Sequence, residues 1–521
     1  MSRLILTAIF ALAISLALGS SAASAAGVER HLTLDDAIRM ALQKNEGLVI
    51  EHELLAAARA AVSGAKGAYD PVLGLDGAWG KSSEPVNSSL SGTSPNRIGP
   101  ELKSADAGLA LRQLLPTGGA LSLRARGVRE TTEDPFALLS PAYRTRMGAE
   151  LRQPLLRDRA TDVARLSVRV AQAGRDDATA SLRRAITETV AAVERAYWGL
   201  KAARLEIDVR DQAVRLAQQQ LQETQDRVDG GAAPRTELAQ PRAELERRRG
   251  ELLASSEALS RAENGLKLLI LDGADDALWA QQLDPVEEAR VEVVPVNVAA
   301  SLERALVARP ELQIVDAVVK RRRAESAFAR DGVWPSLDAV VSYDRFGLAG
   351  SLSPGSSVGT LPSDLDGDFG KSFESLRRGD FDAARVALVL GLPIGNRTAR
   401  GNAAVARHTE RQAEVDAVRV RKVIRAEVLD AAAALETTGQ RIEAARAGRE
   451  AAEIQLSAEQ DRYETGLSTN FLVLTRQNDL SRARLDEISA LTLYRTARTE
   501  MARATGSLIE ERGIDVGGKA H

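Results

Sequence analysis

Two hydrophobic periodicities alternate along this chain, and the alternation happens twice. From Thr33 to Tyr69 apolar residues recur at helical spacing, as Ala37, Ile38, Ala41 and Leu42 and then Leu54, Leu55 and Ala58, which predicts a helix over 33–69. Pro71 ends it. Strict alternation follows over 72–153: Leu121, Leu123 and Ala125 oppose Ser122, Arg124 and Arg126, while Tyr143, Thr145, Met147, Ala149 and Leu151 oppose Arg144, Arg146, Glu150 and Arg152. These are strands of roughly the 9–11 residues that cross a membrane. The helical period then returns in a proline-free stretch over 155–228, about 110 Å long at 1.5 Å per residue. Past Gly230 and Gly231 the chain is expected to reverse into a helix over 235–271. The two shorter helices, 33–69 and 235–271, have the combined length to pair end to end with the long one.

The second pass has the same order. A helix is predicted over 298–332, strands over 336–392, a long helix over 398–465 and a return helix over 468–509. Its strands set Leu337, Ala339, Val341 and Tyr343 against Ser336, Asp338, Ser342 and Asp344. Tyr69-Asp70-Pro71 recurs as Val333-Trp334-Pro335 at an offset of 264, and Gln153-Pro154-Leu155 as Leu392-Pro393-Ile394 at 239. Arg227-Val228-Asp229-Gly230-Gly231-Ala232 recurs as Arg462-Tyr463-Glu464-Thr465-Gly466-Leu467 at 235. The chain therefore reads as repeat 1 at 27–271, a connector at 272–297, repeat 2 at 298–509 and a polar tail at 510–521. Between the two prolines repeat 1 carries 25 extra residues, enough for one more hairpin. Repeat 1 offers strands at 72–80, 107–113, 120–127 and 143–152, with Pro116-Thr117-Gly118-Gly119 as a turn. The extra hairpin belongs either to the sheet or to a loop.

A soluble sheet with one wet face gives the same alternation. Aromatic placement favours a membrane barrel: 10 of the 18 aromatic residues fall within 69–154 and 333–393, little over a quarter of the chain, as an interfacial girdle requires. Residues 1–26 read as a signal peptide, with Arg3, an apolar run from Leu4 to Leu18 and A-x-A-type cleavage options. An uncleaved anchor would need about 20 apolar residues. The chain has no cysteine, so lipidation through cysteine, disulfides and thiolate chemistry are all excluded. Its four histidines, His31, His52, His408 and His521, make no metal-binding spacing, and no nucleophile and base stand together. No cofactor, no metal and no enzyme activity are expected. A net charge of −3 supplies no field for nucleic acid.

The residues now resemble the TolC-like outer-membrane efflux protein family (outer membrane factors) over essentially the whole mature chain. The resemblance rests on Leu32-Thr33-Leu34-Asp35-Asp36-Ala37 with Asn45, on the paired Gln153-Pro154-Leu155 and Leu392-Pro393-Ile394, and on Tyr463-Glu464-Thr465-Gly466-Leu467-Ser468-Thr469 with Leu474 and Ala504-Thr505-Gly506. It implies a mainly α chain with a β-barrel part: a homotrimer whose pooled strands close one outer-membrane β-barrel, continued by a long periplasmic α-helical barrel. It implies a periplasmic membrane-fusion (adaptor) protein and an inner-membrane pump of RND, ABC or MFS type as partners, with outer-membrane lipid around the barrel. The family gives four strands per chain, so repeat 1 departs from it.

The resemblance also assigns candidate residues. The turns at Gly230, Gly231 and Ala232 and at Gly466, Leu467 and Ser468 would be the hairpin tips that dock the adaptor, or simply the glycines of tight reversals. Pro234 stands where repeat 2 has Thr469, so the two tips are not equivalent. In the family's best-known member acidic residues ring the periplasmic gate. Here Leu472 and Thr475 occupy those places, leaving Glu237 and an apolar plug of Phe471, Leu472 and Leu474, or coiled-coil knobs, as the alternatives. Arg124, Arg126, Arg144, Arg146 and Arg152 would line the barrel lumen, either biasing it toward anions or as solvated charge without selectivity. Gly347 to Gly370 reads as an extracellular loop. The leading function is a passive outer-membrane duct for efflux or type I secretion. The alternative is a structural coiled-coil protein bridging envelope layers.

Overall fold

The computed structural model describes residues 29–85, 99–134, 136–288, 291, 293, 295–354 and 360–514; the expected signal peptide lies outside them. Two units are resolved, one of Met1–Leu54, Thr179–Gln313 and Arg419–His521 and one of Leu55–Ala178 and Ile314–Val418.

In the first unit β1 (Glu29–Leu32) leads into α1 (Leu34–Lys44), which Thr33 caps by accepting from the Asp36 N–H. Helix α2 (Glu46–Lys66) follows after a break at Asn45. Asn45 accepts from the Leu48 N–H and donates to the Leu269 carbonyl at 3.3 Å. The long helix α3 (Val163–Asp229), the return helix α4 (Ala239–Ile270) and the connector come next. The connector forms β6 (Gln282–Pro285), paired in parallel with β1. Tyr197 of α3 is buried and donates to the Leu32 carbonyl, and Lys201 donates to that of Pro285.

Repeat 2 supplies α5 (Val298–Ala308), capped by Asn297, then a break at Arg309 and α6 (Pro310–Asp331). Pro310 forces that break, because a residue before proline is pushed out of the helical region. Arg309 donates to the Ala504 carbonyl at 3.3 Å. The two breaks are therefore duplicates: 309 is 45 plus 264, and 504 is 269 plus 235, the offsets that relate the copies in the sequence. Where Asn45 is a neutral amide, Arg309 is a buried cation paired with Glu311 at 2.8 Å and Glu427 at 2.9 Å. Around it Leu312, Ile424, Val428, Ile442, Tyr494 and Met501 make the apolar core.

In the second unit the alternating segments pair into one antiparallel sheet. Strands β2 (Val72–Ser83), β3 (Glu101–Leu114), β4 (Ala120–Thr132), β5 (Leu139–Pro154), β7 (Ser336–Leu352) and β8 (Phe381–Gly391) lie in the order β2-β3-β4-β5-β7-β8. The extra hairpin of repeat 1 thus belongs to the sheet, and its strands run longer than the sequence suggests. Gly118, at φ +84°, closes the β3–β4 turn. Strand β7 extends through Leu352, so Gly347–Leu352 is sheet and not loop. A helix absent from the sequence reading, α7 (Phe369–Arg378), sits between β7 and β8.

The first long helix begins at Val163, not at 155. Asp158 takes a left-handed φ of +65°, which no helix interior accommodates. Its N–H donates to Asp331, and Arg165 binds the carbonyls of Asp158 and Arg159. Repeat 2 turns its corner with Asn396 at φ +43°, whose side chain donates to the Val333 carbonyl. Helix α8 (Arg397–Glu464) then runs unbroken to its turn, and α9 (Asn470–Thr505) and the short α10 (Leu508–Glu511) end the described chain.

Arg309→Ala, which strands Glu311 and Glu427 beside an apolar core, should cost about 3 kcal/mol. Asn45→Ala, the loss of neutral hydrogen bonds, should cost about 1 kcal/mol. The urea midpoints of the far-ultraviolet helical signal test that order.

Candidate functional site: hairpin tips and the charged sheet face

At the first tip, α3 ends in a six-to-one closure: the Ala232 N–H donates to the Arg227 carbonyl at 2.8 Å, with Gly231 at φ +69°. The second tip repeats it, Leu467 donating to Arg462 at 2.8 Å with Gly466 at φ +78°. Only glycine takes that left-handed position without strain. Among the described residues, chain neighbours aside, no atom stands within 4 Å of a Cβ built on either glycine, and Leu467 is 81% exposed. The Ser468 hydroxyl instead turns back to the buried Glu459 carboxylate. Pro234 leads directly into a 3-10 turn over Arg235–Leu238, so the first tip is stiffer where the second has Thr469.

The two hairpins are tied to each other by contacts the sequence reading did not single out. Arg227 donates to the Tyr463 hydroxyl at 2.6 Å, its guanidinium 5.5 Å from that ring's centroid. Asn470 donates to Thr224, Arg247 to Asn478 and Arg484 to Gln212. Tyr463, the one Phe, Trp or Tyr of helix α8, was the available signal. Burial pushes the Glu244 carboxyl up, but hydrogen bonds from Arg247 and Arg248 outweigh it and hold the group below its usual range. Glu453 behaves alike: burial raises it, while Arg484 and Arg449 bring it lower overall. Both carboxylates, each held within its own hairpin, stay charged at neutral pH.

The gate candidates separate. Phe471 and Leu472 are exposed beside the second tip. Leu474 is 5% exposed, so it is a packed knob of the helix pair rather than part of a surface plug. The Thr475 hydroxyl is spent on the Phe471 carbonyl within its own helix. Glu237 is exposed on the first tip, and among the described residues no hydrogen bond or ion pair joins it to Phe471 or Leu472.

On the sheet all five candidate arginines lie on one face, and each is paired. Arg124 meets Glu150 at 2.7 Å, Arg144 meets Glu130 at 3.0 Å and Arg152 meets Asp338 at 2.5 Å. Arg126 reaches Asp106 at 2.5 Å and Asp76 at 3.5 Å. Arg146 grips Asp344 with two parallel hydrogen bonds of 3.0 Å. The acids Asp76, Asp106 and Glu130 complete a ladder that leaves little unbalanced charge for anion selection. The opposite face is apolar and, outside the rows that α7 covers, exposed, with Leu75 and Val386 each 79% exposed. No helix among the described residues is long and apolar enough to cross a membrane.

The sequence matches the family described as outer membrane efflux protein over residues 144–270 and 301–507. No curated protein matches it. Among solved structures, it is similar to the Campylobacter jejuni CmeC outer membrane channel, 16% identical over 92% of this chain and 90% of that one, with a TM-score of 0.63. It is also similar to the Neisseria gonorrhoeae MtrE outer membrane channel in its open state, 18% identical over 91% and 89%, TM-score 0.61. The outer membrane protein VceC of Vibrio cholerae is 15% identical over 91% of this chain and 96% of its own, TM-score 0.61.

Leu472→Ser should raise closed-state conductance in planar bilayers without loss of stability, whereas Leu474→Ala should cost about 3 kcal/mol as a cavity; unchanged conductance in Leu472→Ser rules out the plug. Arg126→Gln with Arg146→Gln leaves Asp76, Asp106 and Asp344 uncompensated, so the reversal potential should move toward cation selectivity.

Proposed function

We propose, because the chain belongs to the outer membrane efflux protein family, that it is the exit duct of a tripartite efflux or type I secretion assembly in a Gram-negative outer membrane. The observation that carries this reading is the sheet. One face is apolar and largely exposed, the other is a ladder of paired charges, and among the described residues the two outer strands, β2 and β8, have a strand neighbour on one edge only. Unpaired strand edges are not tolerated in hydrocarbon, so copies of the chain must pool strands. Three copies with six strands each would close an eighteen-stranded barrel, wider than four strands per chain would give, since diameter grows with strand number.

In this reading the apolar face meets outer-membrane lipid and the charged face lines the lumen. The helices extend into the periplasm, and the exposed tips at Gly230–Ala232 and Gly466–Ser468 meet a periplasmic adaptor carrying cargo from an inner-membrane pump. Small residues and free backbone at the tips suit close helix packing. The duct conducts passively and performs no chemistry.

Since the chain has no cysteine, Leu467→Cys introduces a unique thiol. It should crosslink to an adaptor in intact envelopes, and the purified protein should migrate unheated as three chains and form pores in bilayers. A monomer without pore activity would support the bridging coiled coil instead.

A further inference from the structure

Helix α7 lies on the apolar face of the sheet, in a seat made for it. One register row reads Gly77, Ala107, Gly127, Thr145 and Gly347 across β2, β3, β4, β5 and β7, a row of small side chains, three of them glycines. A Cβ on Gly347 would fall 1.9 Å from the Ser372 carbonyl oxygen, and one on Gly127 would fall 2.6 Å from the Phe369 ring. Thr145 donates to the Ser372 carbonyl at 3.1 Å, and Ser372, Ser375 and Leu376 are buried against the strands. Asp368 caps the start of α7 and Gly379, left-handed, ends it. The helix is therefore docked along a row, across the strands.

Its exposed surface is sorted. Phe369, Phe373 and Arg377 follow at four-residue steps along one ridge; Phe369 is 48% and Phe373 50% exposed. On the opposite flank Lys371 pairs with Glu374, and Arg378 with Asp380. Lys371 packs beside Gly367, whose N–H donates to the Gly350 carbonyl. Gly350 lies further along β7 than Gly347, away from the strand ends that join the helices. The ion-paired flank thus points to the outer end of the sheet and the phenylalanines toward the apolar rows of Leu75, Leu109 and Met147. Because α7 covers β4, β5 and β7, neighbouring copies pairing at β2 and β8 leave it uncovered.

We propose that α7 is an interfacial helix at the outer rim of the barrel, with Phe369 and Phe373 entering the acyl chains of the surrounding lipid and Arg377 meeting its phosphate groups. This continues the lipid-facing surface of the sheet and rests on the barrel reading above. Aromatic side chains favour this depth, and amphipathic helices bind membranes by burying one ridge at the headgroup boundary. Among the described residues Arg377 has no acidic partner, so its charge is available to the phosphate.

Single cysteines at Phe373, Arg377, Leu75 and Leu467 in the full-length protein, spin-labelled and reconstituted in phospholipid bilayers, separate the possibilities through collision with oxygen and with a water-soluble nickel chelate. The label at 373 should favour oxygen severalfold over the label at 467 and lie beneath the phosphate plane, with 377 at that plane. If 75 favours oxygen but 373 favours nickel, α7 stands in water and the proposal is overturned while the barrel survives. If 75 also favours nickel, the barrel reading itself falls. Shielding of 373 from both reagents, meaning protein covers the helix, overturns the proposal as well, and a label at 377 standing beyond the phosphates removes the headgroup contact.

Discussion

A backbone amide or carbonyl without a partner is tolerable in water and costly in hydrocarbon, and this constraint organises the rest of the molecule. The sheet ends in two strands, β2 and β8, whose outer edges have no strand partner among the described residues. Its apolar face is exposed outside the rows that α7 covers, and its charged face is already paired. On the barrel reading proposed above, such a sheet is completed where strands from several chains meet, and assembly would then be part of how the sequence satisfies its own backbone. The length of the strands, the added hairpin and the small-residue seat under α7 all make sense on a closed wall.

The duplication then explains the helical part. Both copies break their opening helix at the same place and hold the break to the end of the return helix, and both close their hairpins with one left-handed glycine. They differ in the chemistry placed on that shared plan. A neutral amide at Asn45 becomes a buried, twice-paired guanidinium at Arg309, and a flexible Thr469 becomes Pro234. Removal of a charged partner therefore acts on one break far more than on the other, since only one depends on an ion pair.

Much of this was legible in sequence because it rests on period and on residues with strong local preferences. Alternation separated the faces of the sheet, and Gly231 and Gly466 marked the turns. The break at Arg309 was missed, since the sequence reading ran one helix over 298–332, although Pro310 is the residue that forces it. The corner at Asp158 was not legible, since a left-handed non-glycine residue depends on its partners, here Asp331 and Arg165. The helix α7 was masked by the Gly, Ser and Pro content of the segment before it. Leu474 could be assigned only by burial, because plug and knob use the same residue type. The hairpin tie between Arg227 and Tyr463 joins residues 236 apart, a distance no local pattern spans.

The ladder of paired charges has one further consequence. Opposite charges a few ångströms apart cancel beyond a short distance, and ions at physiological strength extinguish what remains within about 8 Å. A conduit lined this way is thoroughly wetted yet nearly featureless to whatever passes along its axis. In the proposed duct, cargo of either sign would find water everywhere along this face and a holding point nowhere, so the wall would be a non-adhesive surface.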